Sequence, residues 1–558
     1  MMRQHVAPTL LRGGALRRAF VIFAIAWAAV GTAAAHAGGP MTVMTQNLYQ
    51  GTEFAHIRAL VGQTGLGYPE VLAATTADYA TYQQTHFKER AKQIAAEIAQ
   101  NRPVLVGLQE VATWHKGPFN PIEPFALPAA VSEDFTEVLE TALEEDGIHY
   151  HAVSSTTRPG GNFTLAFPVV VNGNPFPYNL EAAGMVERGV ILARTDLPAG
   201  QLQVSNPQSG TYSCAYCVVP LENPVTKEVI PFTDSWESVD ANYSGRAFRF
   251  ITTHLDALEP SGFVRYQQAK ELLEGPVRTA LPVILTGDMN AGPNTPPTGT
   301  GPAAYSTFLA GGLSDTWTAA GLGAPPLTCC HLGDEDLVNN PADAFQPGQE
   351  LDHVFTHGTL PVLSEHLVGN TVPNPKPEPF IWPSDHAGVV ATFGPKVISG
   401  NSNGPFVVRN GEWVELSSSG KISGPVTVEA GGAFDVEGGT VSGPVTAKAA
   451  AQVRMCGASI SGPVEVTGAT GSVVIGDGTA GQQSGCGVNF IHGAVTVKNN
   501  TAGVSIRANV VSGPVTVTGN AGGTTVKNNM VMGPLTVLTN SGAVVDRPNY
   551  ATGPEQLQ

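Results

Sequence analysis

Six short polar motifs follow one another along the first 390 residues: Thr45-Gln46-Asn47-Leu48, Leu108-Gln109-Glu110-Val111, Thr252-Thr253-His254-Leu255-Asp256, Thr286-Gly287-Asp288-Met289-Asn290, Leu351-Asp352-His353 and Ser384-Asp385-His386. Hydrolysis of a phosphate ester needs charge neutralised on the phosphoryl oxygens, a water activated for attack and a stabilised leaving group. Carboxylate and amide oxygens suit a hard cation that keeps several waters and binds phosphate, and paired His and Asp suit proton handling. Taken singly, an Asp-His dipeptide or a lone Glu at a strand end says little. Six such motifs, each bordering an apolar run, describe one site at the strand ends of a layered α/β fold.

The elements that must position these residues are legible as alternating runs. Residues 41–48, 104–111, 186–195, 248–255, 283–288 and 353–356 read as buried strands. Phe87, Ala91, Ile94 and Ile98 recur at helical spacing, as do Phe135, Val138, Leu139, Ala142 and Leu143, and a further helix is expected over 264–273. Such alternation implies sheets covered by helices. The Pro/Gly-rich stretch 156–245, which carries Cys214 and Cys217, reads largely as a long loop region braced by a disulfide.

With these motifs in this order, residues 41–393 resemble the endonuclease/exonuclease/phosphatase superfamily of metal-dependent nucleases, neutral sphingomyelinases and inositol-polyphosphate phosphatases. Gln46-Asn47-Leu48-Tyr49 and the Thr328-Cys329-Cys330 that precedes the Leu-Asp motif look like its secreted bacterial members. The resemblance implies a four-layer α/β sandwich of the DNase I-like kind. It implies Mg²⁺, with Mn²⁺ as an alternative, held by Asn47, Glu110 and Asp385. His386 would act as general base or hydrogen-bond the phosphate, with Asp352 orienting its ring. His254 would donate to a phosphoryl oxygen, and Asp288 and Asn290 would place nucleophile and substrate. Arg188, in Val186-Glu187-Arg188-Gly189, is carried as a candidate phosphate contact, whereas Asp256, His331 and His353 are read as structural. Two departures stand out. Tyr49 occupies the place where many members carry a second acidic residue, which leaves a second metal ligand there without support, and Met289 replaces a common aromatic, a change of packing only.

After Gly394 the pattern changes. Gly-Pro recurs at 404, 424, 443, 462, 513 and 533, with a degenerate Gly493-Ala494 between, at intervals of 19–20 residues except for one of 31. Most units read Val-Thr-Val followed by a Gly-rich turn, which places valines on one face. That is an all-β solenoid of about 20-residue rungs, each burying its valines against its neighbours. Without clustered His, Asp or Glu it is expected to serve as a spacer, adhesion or assembly module that binds a surface, a glycan or another copy. The domain boundaries are set at 1–37 for a signal peptide, 38–395 for the catalytic domain, 396–403 for a linker, 404–547 for the repeats and 548–558 for a C-terminal tail.

Charge and cysteines bound the setting. Arg3, Arg12, Arg17 and Arg18 precede an apolar run over 20–30 and Ala35-His36-Ala37, the signature of a secretory signal cleaved before Gly38. The mature protein is therefore expected outside the cytoplasm, secreted or held in the periplasm or at the cell surface, with no transmembrane span. Six cysteines in an oxidising compartment are read as structural disulfides, paired locally as 214/217, 329/330 and 456/486 or crossed between the first two pairs. The whole chain carries 29 basic and 46 acidic side chains, and the imbalance lies in 38–395, with 16 basic against 37 acidic, while 396–558 is neutral. So acidic a head needs a cation and repels polyanions. The expected function is a secreted, Mg²⁺-dependent phosphoesterase that takes a phosphodiester in preference to a monoester and hydrolyses it by in-line attack of water. The alternatives are a nuclease, with nucleic acid as substrate only, a sphingomyelinase-type lipid phosphodiesterase using an apolar hairpin at 163–177, and a surface adhesin with an inactive head.

Overall fold

The structure, a computed structural model, describes residues 40–558 except 61–62, 64–65, 157–162, 171–179, 218, 223–228, 245, 297–301, 331–336, 338–347, 359, 373–379 and 478–485. The expected signal peptide, His331, and Phe176 and Pro177 of the apolar stretch lie outside the described residues. Among those described, no helix is long and apolar enough to cross a membrane.

In chain order the head comprises β1 (Met41–Asn47), α1 (Ala55–Arg58), α2 (Tyr68–Gln84), α3 (Phe87–Asn101), β2 (Leu105–Pro118), β3 (Val131–Asp134), α4 (Phe135–Glu145), β4 (Tyr150–Ser155), β5 (Phe163–Val170) and β6 (Leu180–Arg194). It continues with β7 (Leu202–Thr211), β8 (Val219–Glu222), β9 (Val229–Phe232), β10 (Ser235–Tyr243), β11 (Arg246–His254), α5 (Phe263–Glu274), β12 (Val283–Asp288), α6 (Ala304–Ala310), β13 (Ser314–Asp315), α7 (Thr316–Ala319), β14 (Asp352–His357), β15 (Val362–Val368) and β16 (Gly388–Phe393). One sheet runs β15-β16-β1-β2-β6-β4 and the other β13-β14-β12-β11-β10-β7. Each is mixed around one parallel pair, β1 with β2 and β11 with β12. Val43, Leu105 and Ile191 of the first sheet pack on Val239, Phe250 and Ile284 of the second, so the two sheets lie face to face. Helices α3 and α4 cover the outside of one through Phe87, Ile94, Ile98 and Leu139, and α5 and α6 cover the other through Leu272 and Phe308. The expected four-layer α/β sandwich of the DNase I-like kind is the observed head.

The stretch 156–245 is not the loop expected. Besides β6, which covers most of the expected strand 186–195, it supplies β10 to one sheet and β7 to the edge of that sheet. The pattern was hidden because β7, Leu202 to Thr211, is an exposed, polar edge strand containing Pro207, which an edge tolerates. The apolar hairpin is also corrected in its described part: Phe167 and Val169 are 1% exposed in the core beside α2, whose Thr75 hydroxyl donates to Pro168 O, and are not available to a membrane.

Residues 396–558 form three parallel eight-stranded sheets, one for each side of the solenoid. Val426, Val445, Val464, Val495, Val515 and Leu535 stack in register and are buried, as the repeat required. Gly-Pro recurs because the rungs touch there: a Cβ on Gly443 would lie 2.6 Å from the backbone of Gly424. The linker and tail boundaries are corrected, since residues 396–398 and 401–403 already pair as first-rung strands and 550–551 and 555–556 complete the last. Cysteines pair locally, Cys456 with Cys486 bracketing the long rung. The solenoid is docked at the start of β11, where the Arg246 guanidinium lies 3.3 Å from the Trp413 ring centre and Trp413 Nε1 donates to Asp435 at 2.8 Å. A strand of this length puts that contact roughly 27 Å from His254 at the other end.

Buried asparagines continue the rungs in ladders. Asn509 Nδ2 donates to Ile475 O and Asn529 Oδ1, and its own Oδ1 accepts from Asn489 Nδ2, all at 2.8 Å. Asn509→Leu strands these partners at about 1–3 kcal/mol each. A lowered unfolding midpoint for the solenoid with unchanged head activity is the expected result, read by thermal melting and a turnover assay.

Candidate active site

Strand register assembles most of the site. His254 pairs with Asp288 across the β11–β12 ladder, and Asp288 pairs with Asp352 across β12–β14, so the three stand in one row. In a strand, alternate residues share a face. Phe250 and Ile284 look into the space between the sheets, and His254 and Asp288 inherit that direction four residues on. From the facing sheet, β1 ends at Asn47 beside Gln109 of β2. A bulge between Leu108 and Val111 then puts Glu110 at φ 53°, turning its carboxylate off the ladder and toward Asn47. Asn47 Nδ2 donates to Glu110 Oε1 at 2.9 Å and to Asp288 Oδ2 at 3.2 Å. Asn47 Oδ1 accepts from the Tyr49 amide at 2.9 Å, which leaves one oxygen lone pair for a cation.

Asp288 is the hub. Its Oδ2 lies 3.6 Å from His254 Nε2 and 3.7 Å from His386 Nε2, and its Oδ1 accepts from the Asn290 amide at 2.9 Å. Asn290 Nδ2 donates to Leu255 O at 2.7 Å and so ties the β12 end to the β11 end. His386 Nδ1 is 2.8 Å from Asp352 Oδ2, the orienting pair expected. Thr328 Oγ1 accepts from the backbone amides of Leu351 and Asp352, both at 3.0 Å, and fixes the main chain that carries this carboxylate. Asp385 precedes His386, and its Oδ1 accepts from Ser384 Oγ at 3.2 Å. The site therefore brings together Asn47, Glu110, His254, Asp288, Asn290, Asp352, Asp385 and His386.

Arg188 does not join them. Its guanidinium is bonded to Asp134 at 2.7 Å and to the Thr113 hydroxyl. Alternation along β6 is the reason: Ile191 and Ala193 face the other sheet, so Glu187 points inward and Arg188 points to the helix side. Glu187, not singled out in the sequence, is the residue delivered, with Oε1 3.6 Å from His254 Nδ1. Counting back by twos from Ile191 would have found it. Arg90 is a second missed residue, hidden on the apolar face of α3 between Phe87 and Ile94. Fully buried, it donates to Leu48 O (2.5 Å), Tyr49 O (2.9 Å), Thr85 O (2.9 Å) and Pro383 O (3.1 Å), clamping the segments that carry Asn47 and Asp385. Tyr49, at φ 55° and 1% exposed, is part of that clamp, with its ring 5.4 Å from the guanidinium carbon. Met289 is buried in the core, a packing residue.

Electrostatics divide the roles. Burial works against charging His386, but Asp352, Asp385 and Asp288 outweigh it and raise its pKa well above the usual histidine range. His254 behaves alike, with burial overcome by Glu187, Asp288 and Asp234. Burial also favours protonating Asp288, yet the two imidazoles, the Asn290 amide and Asn47 hold its pKa below the ordinary value. The site thus carries two imidazolium groups flanking an ionised carboxylate. Asp385 differs: burial, with Glu110 adding, pushes it up to about 6 against the pull of His386 and Arg90. Two carboxylates left with surplus negative charge beside an amide oxygen are the donor set of a hard divalent cation. Asn47, Glu110 and Asp385 fit that group.

A model of the Endonuclease/Exonuclease/phosphatase family matches residues 81–386, a span that holds every site residue from Glu110 onward and does not include Asn47. Solved structures similar to this chain include an endonuclease/exonuclease/phosphatase family protein from Leptotrichia buccalis C-1013-b, at 16% identity over 63% of this chain and 99% of that one, with a TM-score of 0.36. A mannosyl-6-phosphatase from Bacteroides thetaiotaomicron VPI-5482 is 15% identical over 63% of this chain and 99% of that one, with a TM-score of 0.36. The human Nocturnin catalytic domain with bound sulfate anion is 18% identical over 64% and 93%, with a TM-score of 0.33. Among curated proteins, none matches.

Proposed function

We propose a reaction for a chain that belongs to the Endonuclease/Exonuclease/phosphatase family: hydrolysis of a phosphodiester by a water that Asp288 deprotonates, in a protein exported from the cytoplasm. The observation that carries this reading is the placement of the Asp288 carboxylate between two imidazoles at 3.6 and 3.7 Å. His386 and His254, both held protonated, donate through Nε2 to the phosphoryl oxygens as charge builds on them. Asp288, kept ionised by the same two rings, accepts the proton of the attacking water. Asp352 keeps the His386 ring in place and its charge on, Glu187 does so for His254, and Asn290 holds the Asp288 carboxylate still. A Mg²⁺ or Mn²⁺ held by Asn47, Glu110 and Asp385 would, when bound, neutralise phosphoryl charge and stabilise the leaving oxygen. The two carboxylates Glu110 and Asp385 are supported as its ligands by their mutual crowding, and export is supported by the signal-like N-terminus and the paired cysteines.

The test is the pH profile of bis-p-nitrophenyl phosphate hydrolysis by the full chain. Activity is expected to vanish with EDTA and return with Mg²⁺. The acid limb should fall near pH 6, where Asp385 takes a proton, and should move to lower pH as Mg²⁺ rises, since cation and proton compete for one carboxylate. The alkaline limb should lie well above the ordinary histidine value of about 6.5 and come down toward it in Asp352→Asn, which removes the charge that raises His386. EDTA-resistant turnover, or an alkaline limb unmoved by Asp352→Asn, would count against the assignment.

A further inference from the structure

The Cys329–Cys330 disulfide stands against the catalytic His386, and the proposed reaction makes no use of it. Cys330 Sγ lies 3.8 Å from His386 Nε2, and the two sulfurs and a ring nitrogen of His386 all fall within 4.8 Å of one another. The bond joins neighbours in sequence, whereas Cys456–Cys486 spans 30 residues. A disulfide stabilises chiefly by constraining the unfolded chain, and a link between adjacent residues closes almost no loop. Folding stability therefore does not account for it.

The backbone holds both cysteines beside His386 whether or not their sulfurs are joined. The Thr328 and Cys329 amides donate to Gln349 O at 2.8 and 3.0 Å, and the Gln349 amide donates back to Cys329 O at 2.6 Å. The Ala387 amide, next to the catalytic histidine, donates to Thr328 O at 2.8 Å. His386 itself is oriented as a ligand would be. Its Nδ1 is 2.8 Å from Asp352 Oδ2, and a carboxylate on the far nitrogen is the usual support of a metal-ligating histidine. Access to the sulfurs is one-sided: Cys329 is fully buried and Cys330 half-buried, so an incoming thiol meets Cys330 Sγ first.

We propose that, once the Cys329–Cys330 bond is reduced, the two sulfurs and His386 Nε2 form a site for one thiophilic divalent cation, Zn²⁺, which takes the catalytic imidazole out of use. A dithiol reductant attacks Cys330 Sγ, forms a mixed disulfide there and releases Cys329 as a thiolate that takes up a proton. The reductant's second sulfur then closes on its first and releases Cys330 as a thiol, so two cysteine thiols and one cyclic disulfide result. Zn²⁺ replaces the two thiol protons and the Nε2 proton, with a water in the fourth place. Tetrahedral zinc, with Zn–S of about 2.3 Å and Zn–N of about 2.0 Å, sets its ligand atoms roughly 3.5–3.8 Å apart. The Cys330–His386 separation already fits. Thiolates select Zn²⁺ over Mg²⁺, which keeps this site apart from the all-oxygen group of Asn47, Glu110 and Asp385. Cation binding does not depend on the reaction proposed above, whereas the loss of turnover rests on it.

The test compares the oxidised full chain with the same chain reduced by dithiothreitol, freed of reductant and metal without oxygen, and titrated with Co²⁺ alone. The reduced form is expected to bind one more Co²⁺ per chain, with a thiolate-to-Co²⁺ absorption band that the oxidised form lacks. Cys329→Ser combined with Cys330→Ser should abolish the band, and His386→Gln should weaken the extra ion at least tenfold. In saturating Mg²⁺, equimolar Zn²⁺ should lower bis-p-nitrophenyl phosphate turnover at least tenfold in the reduced chain and leave the oxidised chain unchanged. Equal Co²⁺ binding by the two forms, or an extra ion that His386→Gln leaves untouched, would overturn the proposal. So would a band that survives in the double serine variant, which would assign the ion to Cys214 and Cys217, and so would full turnover of the zinc-loaded reduced chain. A chain that shows the band but no turnover in either form would instead sink the reaction and leave the cation site standing.

Discussion

Asp288→Asn is expected to lower kcat on bis-p-nitrophenyl phosphate by about 10²–10⁴-fold, the range for loss of a positioned proton acceptor. The substitution keeps the shape, and its amide oxygen can still accept from the Asn290 amide that now bonds Oδ1 at 2.9 Å. What it removes is the one carboxylate oxygen that lies within 3.7 Å of both imidazoles and accepts from Asn47. The melting temperature should stay near that of the wild type, and KM should change little, because the phosphoryl oxygens are addressed by His254 and His386. A loss of less than tenfold would pass the role of base to His386, the other reading the motif order allowed. His386→Gln separates the two further: as a donor to phosphoryl oxygen it should show in kcat at every pH where the wild type is active.

Arg90→Met should be the most damaging change outside the catalytic row. The side chain is fully buried and its guanidinium serves four backbone carbonyls on three segments of chain. Burial lowers its pKa to about 10, which still leaves it charged at neutral pH, supported by Tyr49, Asp385 and Glu110. Removing it strands several buried acceptors at about 1–3 kcal/mol each, and a total loss on the order of 3–5 kcal/mol is expected. Urea unfolding measures it. Turnover at low temperature, where the variant is still folded, should also fall, since Leu48, Tyr49 and Pro383 flank the cation ligands. Arg90→Lys should recover only part, because a single ammonium cannot reach four carbonyls. Wild-type stability and kcat in Arg90→Met would show that the clamp is redundant.

The difference between Arg188 and Glu187 shows what was readable and what was not. Charge type favoured Arg188 as a phosphate contact, yet a strand shows alternate residues to opposite faces, and only the pairing of β6 with β2 and β4 tells which face is inside. Arg90 was unreadable for a related reason. On a helix face of Phe87, Ala91, Ile94 and Ile98 a buried arginine looks like an interruption until the carbonyls of Leu48 and Pro383, 42 and 293 residues away, are brought to it. The edge strand β7 carried no alternation because neither of its faces is fully buried, so a segment that completes a sheet looked like loop.

Local chemistry alone determined a good deal. The order of the six motifs named the family, the valine register and Gly-Pro period named the solenoid, and strand-end position marked His254, Asp288 and Asp352, because those signals lie within a few residues of one another. Tertiary structure decided what depends on distance: that register sets these three in one row, that Asp288 stands between two charged imidazoles, and that a bulge turns Glu110 toward Asn47. It also decided that His353, read as structural, is buried with Nδ1 3.1 Å from Asp315 Oδ2. Burial and the sum of surrounding charges set protonation and orientation, and both are properties of the packed chain.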